Sequence, residues 1–99
     1  MYKHVVMFKL KGTLAEKNDV AERFAEALRL LPGQIPCLQS IEVGINCNPA
    51  EHWNIVLTAV LPTFDDIDVY ARHPAHVAAA SIISEWREAR ACVDYLLPD

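Results

Sequence analysis

Glycine is scarce in this chain: three in 99 residues, none arranged as G-x-x-x-x-G-K or G-x-G-x-x-G. A loop of backbone N–H groups that cradles a phosphate is therefore not encoded, which sets nucleotide-dependent chemistry aside. Positive charge is scarce too. Nine Lys and Arg face thirteen Asp and Glu, a formal net charge of −4, and the densest basic group is Lys3, Lys9 and Lys11. A nucleic-acid partner needs a basic face and a membrane-surface helix needs a basic stripe, so neither nucleic acid nor membrane is expected as a partner. No apolar run approaches the roughly 20 residues that span a bilayer. The cysteines are only three, Cys37, Cys47 and Cys92, an odd number without C-x-x-C spacing. They read as reduced thiols that pack as small hydrophobes. With no signal-peptide pattern after Met1, the expected location is cytoplasmic. A Ser nucleophile elbow is also missing.

What is present is mostly apolar. Hydrophobic residues make up 53% of the chain and charged residues 22%. This fits one domain over residues 1–99, and it is more apolar surface than one small core readily hides. His4–Leu10 is β-branched and aromatic and reads as a buried strand. Thr13 with Glu16 forms a capping box for an amphipathic helix that carries Val20, Phe24, Ala27, Leu28 and Leu31 on one side. Pro32-Gly33 stops it and Pro36 prevents its return. Leu38–Asn46 reads as a strand with one apolar face. Trp53–Leu61 reads as a strand apolar on both faces, ended by Pro62. Thr63 and Asp66 cap a short helix running to about Tyr70. Pro74 opens another, with His73 at its cap, expected to reach about Ala89. Ala91–Leu96 closes the chain as a strand.

The order β-α-β-β-α-β predicts an α+β, ferredoxin-like protomer: a four-stranded antiparallel sheet with helices on one face. Helices on one face leave the other side of the Trp53–Leu61 strand uncovered. A second copy packed sheet to sheet covers it economically, so a homodimer is expected.

Candidate chemistry concentrates at Tyr70-Ala71-Arg72-His73-Pro74-Ala75-His76, a helix–helix junction with a phenol and two imidazoles. Imidazole exchanges protons near neutrality, and a Tyr hydroxyl can hold a substrate oxygen or steady the ring. His76 falls in the first turn of its helix, where the dipole favours the neutral ring of a general base. Tyr70 is the candidate stabiliser of an enolate oxygen, and also reads as a core Tyr with one partner. His73 reads mainly as a cap. His4 shares a strand face with Val6 and Phe8, and either fills the core or meets the Tyr70/His76 region. His4, Phe24, Leu28 and His73 are the expected pocket-lining residues. His73-x-x-His76 supplies one i,i+3 pair without a third ligand, so no metal is expected, and no cofactor.

His4, the Leu31-Pro32 turn with Ile35-Pro36, Val43-Gly44, Tyr70-x-x-His73-Pro74-x-His76-Val77 and Val93-Asp94-Tyr95 together resemble the stress-responsive dimeric α/β-barrel domain (Dabb) family. The resemblance spans essentially the whole chain, and the Tyr-x-x-His-Pro-x-His-Val segment is its specific part. It implies a ferredoxin-like protomer that pairs into a barrel dimer. It also implies kinship with a plant polyketide cyclase that closes a ring by cofactor-free aldol chemistry, with an acid/base pair matching Tyr70 and His76 and a pocket His matching His4. The chain departs from that cyclase at Asn54, where the cyclase has His, and at Leu28 and Ala79, where it has bulky aromatics. The cyclase's pocket shape therefore does not carry over. Two main functions follow: a cofactor-independent lyase/cyclase or isomerase, or a non-catalytic stress-response protein that binds an apolar small molecule. Fold analogy adds a cofactor-free monooxygenase as a third.

Overall fold

Two of the three helices begin with the same device, a threonine reciprocated by an acid three residues on. The structure, a computed structural model, describes residues 1–98. Thr13 Oγ1 accepts the Glu16 N–H at 3.2 Å while Glu16 Oε1 accepts the Thr13 N–H at 2.9 Å, opening α1 (Leu14–Arg29). Thr63 and Asp66 repeat the exchange at the start of α2 (Phe64–Arg72). Each box satisfies two helix-end donors that have no intrahelical partner. Replacing Thr13 with Ala should therefore lower stability by about 0.5–2 kcal/mol. A denaturant titration checks this through a lower midpoint at unchanged slope.

α3 (Pro74–Ser81) begins differently. His73 Nδ1 accepts the Ala75 N–H at 3.1 Å, and Pro74 occupies the first helical position. This helix ends at Ser81, well short of the expected Ala89. Beyond it the backbone tightens into three-residue turns, with Ile82 N–H donating to Ala79 O and Ile83 N–H to Ala80 O. The Ser81 hydroxyl donates to the Ala78 carbonyl at 2.6 Å and the Ser84 hydroxyl to Ser81 at 3.0 Å, local bonds that compete with helix continuation. Arg87-Glu88-Ala89-Arg90 favours a helix by composition, but it pairs with the first strand and opens β4 (Arg87–Leu96). Ladder bonds to β1 outweigh intrinsic propensity here.

The remaining strands are β1 (Tyr2–Leu10), β2 (Ser40–Ile45) and β3 (Ile55–Leu61). They form one antiparallel sheet with β4 in the order β2-β3-β1-β4, the ferredoxin-like topology. His4, Val6, Phe8 and Leu10 of β1 face the helices and are buried. Phe24 and Leu28 of α1 meet them in the core, with the Phe8 and Phe24 rings edge to face at 5.6 Å. Asn54 ends the sheet, its Oδ1 accepting the Leu10 N–H at 2.6 Å. On the opposite sheet face Val5 and Val60 are half-buried, and Met7, Val56, Val93 and Tyr95 are exposed, Val93 at 64%. Among the described residues no helix is long and apolar enough to cross a membrane.

Candidate functional site

Strand pairing assembles most of the site. In the β1/β4 ladder His4 stands opposite Asp94, Val6 opposite Cys92 and Phe8 opposite Arg90. Opposed residues share a face, so all six side chains rise toward the helices. The α2–α3 junction lays Tyr70 and His76 over the same region. A cleft of about 700 Å³ lies between these layers, and His4, Phe24, His76, Arg90, Cys92 and Asp94 are on its wall. That volume falls within the usual range of small-molecule sites.

His76 is half-buried, with Nδ1 3.0 Å from the Ala71 carbonyl oxygen. A carbonyl can only accept, so Nδ1 carries the proton and Nε2 of the neutral ring keeps its lone pair. Burial pushes the His76 pKa below its ordinary 6.5, while the Ala71 carbonyl pulls it upward; His4 and Arg90 depress it further. The ring is thus neutral and basic at pH 7. Burial, more than the dipole of α3, is the leading cause.

Tyr70 is fully buried, and its hydroxyl has no hydrogen-bond partner among the described residues. Its ring centroid lies 4.6 Å from that of His76 and 5.9 Å from that of His4. Burial drives its pKa upward, so it remains a neutral hydroxyl able to donate. Tyr70 itself is not on the cleft wall; it packs behind the two imidazoles that are. Of the four expected lining residues, His4 and Phe24 are on the wall. Leu28 is not, because α1 turns it into the core, and His73 is not, because it caps α3.

His4 Nδ1 lies 2.5 Å from Asp94 Oδ1, an N–H donated to a carboxylate. Cys92 Sγ is 3.6 Å from both atoms. Burial and the Asp94 carboxylate raise the Cys92 thiol pKa, with Arg90 opposing. Cys92 therefore has a His neighbour and is no mere packing residue. The available signal was the alternation Arg90-x-Cys92-x-Asp94, polar at every second position of a strand that this topology sets beside β1. His4, Cys92 and Asp94 offer a nitrogen, a sulfur and an oxygen within 4.8 Å, a donor set of the kind that holds a metal. Two ligands at about 2.0–2.1 Å from one ion stand roughly 3.3 Å apart in a tetrahedral site. The closed His4–Asp94 pair is tighter than that and is occupied with its own hydrogen bond. Among the described residues His73 and His76 are not part of such a donor cluster.

A family model described as Stress responsive A/B Barrel Domain matches residues 2–97. A crystal structure from Bacteroides fragilis, described as a dimeric protein of unknown function with a ferredoxin-like fold, is 47% identical. It superposes with a TM-score of 0.94, covering 97% of this chain and 95% of that one. An uncharacterized protein of Streptomyces coelicolor is 29% identical over 89 residues, 89% of each chain. The hydroxynitrile lyase of Passiflora edulis shares the fold with a TM-score of 0.78 at 14% identity, covering 99% of this chain and 94% of that one.

Proposed function

The chain belongs to the stress-responsive A/B barrel domain family, and from that premise we propose that its cleft performs cofactor-independent acid/base chemistry on a small, largely apolar carbonyl compound. His76 Nε2 takes the proton alpha to the carbonyl. The C–H electron pair becomes the enolate double bond, and the carbonyl pair moves onto oxygen. With a ligand in the cleft, the Tyr70 hydroxyl, which lacks a partner among the described residues, turns past the imidazoles to donate to that oxygen, and protonated His76 returns its proton to the product. Closure onto a second carbonyl gives cyclase-like aldol chemistry; reprotonation elsewhere gives an isomerase. The observation that carries this reading is the contact of a neutral imidazole whose Nε2 is its free acceptor with a buried phenol whose hydroxyl has no partner. His4, held by Asp94, lines the same pocket.

One observation favours a second reading. Tyr70 lies off the cleft wall, which suits a stress-response protein that holds an apolar molecule without turnover. Deuterium uptake separates the two. A panel of 1,3-diketones and aryl ketones in D₂O, followed by proton NMR, should show α-exchange faster with protein than with buffer. Exchange at the buffer rate across the panel supports binding alone.

The same proposal includes a cytoplasmic homodimer joined through the open sheet face. Val5, Met7, Val56, Val60, Val93 and Tyr95 form an apolar surface there, and the Bacteroides fragilis relative is described as dimeric. Light scattering at micromolar concentration should report twice the 11.1 kDa chain mass. A monomer mass rejects the dimer.

A further inference from the structure

Among the described residues, two guanidiniums on the cleft wall have no counter-ion. Arg90 stands opposite Phe8 and Arg87 opposite Leu10, so both lie on the helix-facing side of β4, and both line the cleft. Among the described residues neither has a carboxylate within ion-pair distance. The three carboxylates of the same wall each have a partner of their own. Asp94 is held by His4, and Asp68 is 3.1 Å from Arg72. Asp65 lies in the first turn of α2, where the exposed N–H groups favour negative charge. Much of the remaining wall is apolar, including Val6, Phe8, Phe24, Leu57 and Ile83. An apolar cleft with two unpaired guanidiniums on one strand is complementary to an amphiphile with an anionic head.

We propose that the ligand of this cleft is an amphiphilic monocarboxylate, its aliphatic or aromatic body against Phe8, Phe24 and Leu57 and its carboxylate on Arg90, with Arg87 beside it. The planar guanidinium takes a carboxylate through two parallel N–H···O bonds, a geometry that an alcohol cannot reproduce. Arg90 shares its strand face with Cys92 and its cleft wall with His76, so a head group on Arg90 lies in the same cleft as the candidate base. This names the substrate class of the site above and rests on that reading only in taking this cleft as the ligand site.

The test is equilibrium titration of the whole protein with octanoate, octanol and octyl phosphate. Octanoate should bind about tenfold or more tightly than octanol, the usual gain from a charge-assisted pair. Arg90→Gln should reduce that preference, and Arg87→Gln with Arg90→Gln should erase it; both residues are exposed, so the fold survives. His76→Ala should leave the preference intact. Octanol binding as tightly as octanoate, a preference that survives the double variant, or no binding of any probe overturns the proposal. Tighter binding of octyl phosphate overturns the carboxylate in favour of a phosphate head. Loss of deuterium exchange with the octanoate preference retained counts against the catalytic reading and leaves this one standing.

Discussion

His76→Ala is expected to slow α-proton exchange or turnover about 10²–10⁴-fold, the contribution of a positioned acid/base group, while the protein stays folded. The loss should fall on rate more than on binding, because the proton moves only in the transition state. The side chain is half-buried and its one backbone bond, to Ala71, crosses a junction that Pro74 and the His73 cap already hold. Removing it leaves the helix starts intact. Circular dichroism and the denaturant midpoint check the fold; single-turnover kinetics or NMR exchange check the rate. Equal rates for His76→Ala and the parent chain reject His76 as the base.

Tyr70→Phe is expected to move stability and activity in opposite directions. A buried hydroxyl without a partner costs roughly 1–3 kcal/mol, so its removal should stabilise the domain. For a domain of this size each kcal/mol recovered raises Tm by roughly 4–8 °C. The same change removes the donor for the enolate oxygen, and turnover should fall by about 10²-fold or more, as when an oxyanion donor is deleted. A phenol that merely fills space gives the same gain in stability with turnover unchanged. Thermal melts and exchange rates on the same preparation decide between them.

Much of this architecture was legible in the pattern of residues. Capping pairs at Thr13/Glu16 and Thr63/Asp66 are local, so the start of each helix could be read directly. The two-sided apolarity of Trp53–Leu61 likewise announced an open sheet face. The end of α3 was not legible, since Arg87–Arg90 has helical composition and becomes strand only because β1 is available to pair with it. The site divides along the same line. Tyr70 and His76 are six residues apart around Pro74, and their sequence marks them. His4 and Asp94 are 90 residues apart and meet only through the β1/β4 register. Arg90 and Cys92 become cleft residues through that same register. Leu28 was expected in the pocket, but helical period gives only the buried face of α1, without saying which part of it meets core and which meets cleft.

The state of the His76 ring is the point on which the chemistry turns, and ¹⁵N NMR of the imidazole across a pH titration reads it directly. The structure predicts the Nδ1–H tautomer at neutral pH, with Nε2 unprotonated, and a pKa below the ordinary 6.5. Because burial disfavours the charged ring in the folded state, the associated stability is present above about pH 6.5 and is lost as pH falls below the folded pKa. Activity should follow the same acid limb, full where the ring is neutral and falling as it protonates. A ring found as the Nε2–H tautomer, or one that titrates above 6.5, contradicts the assignment of His76 as the base.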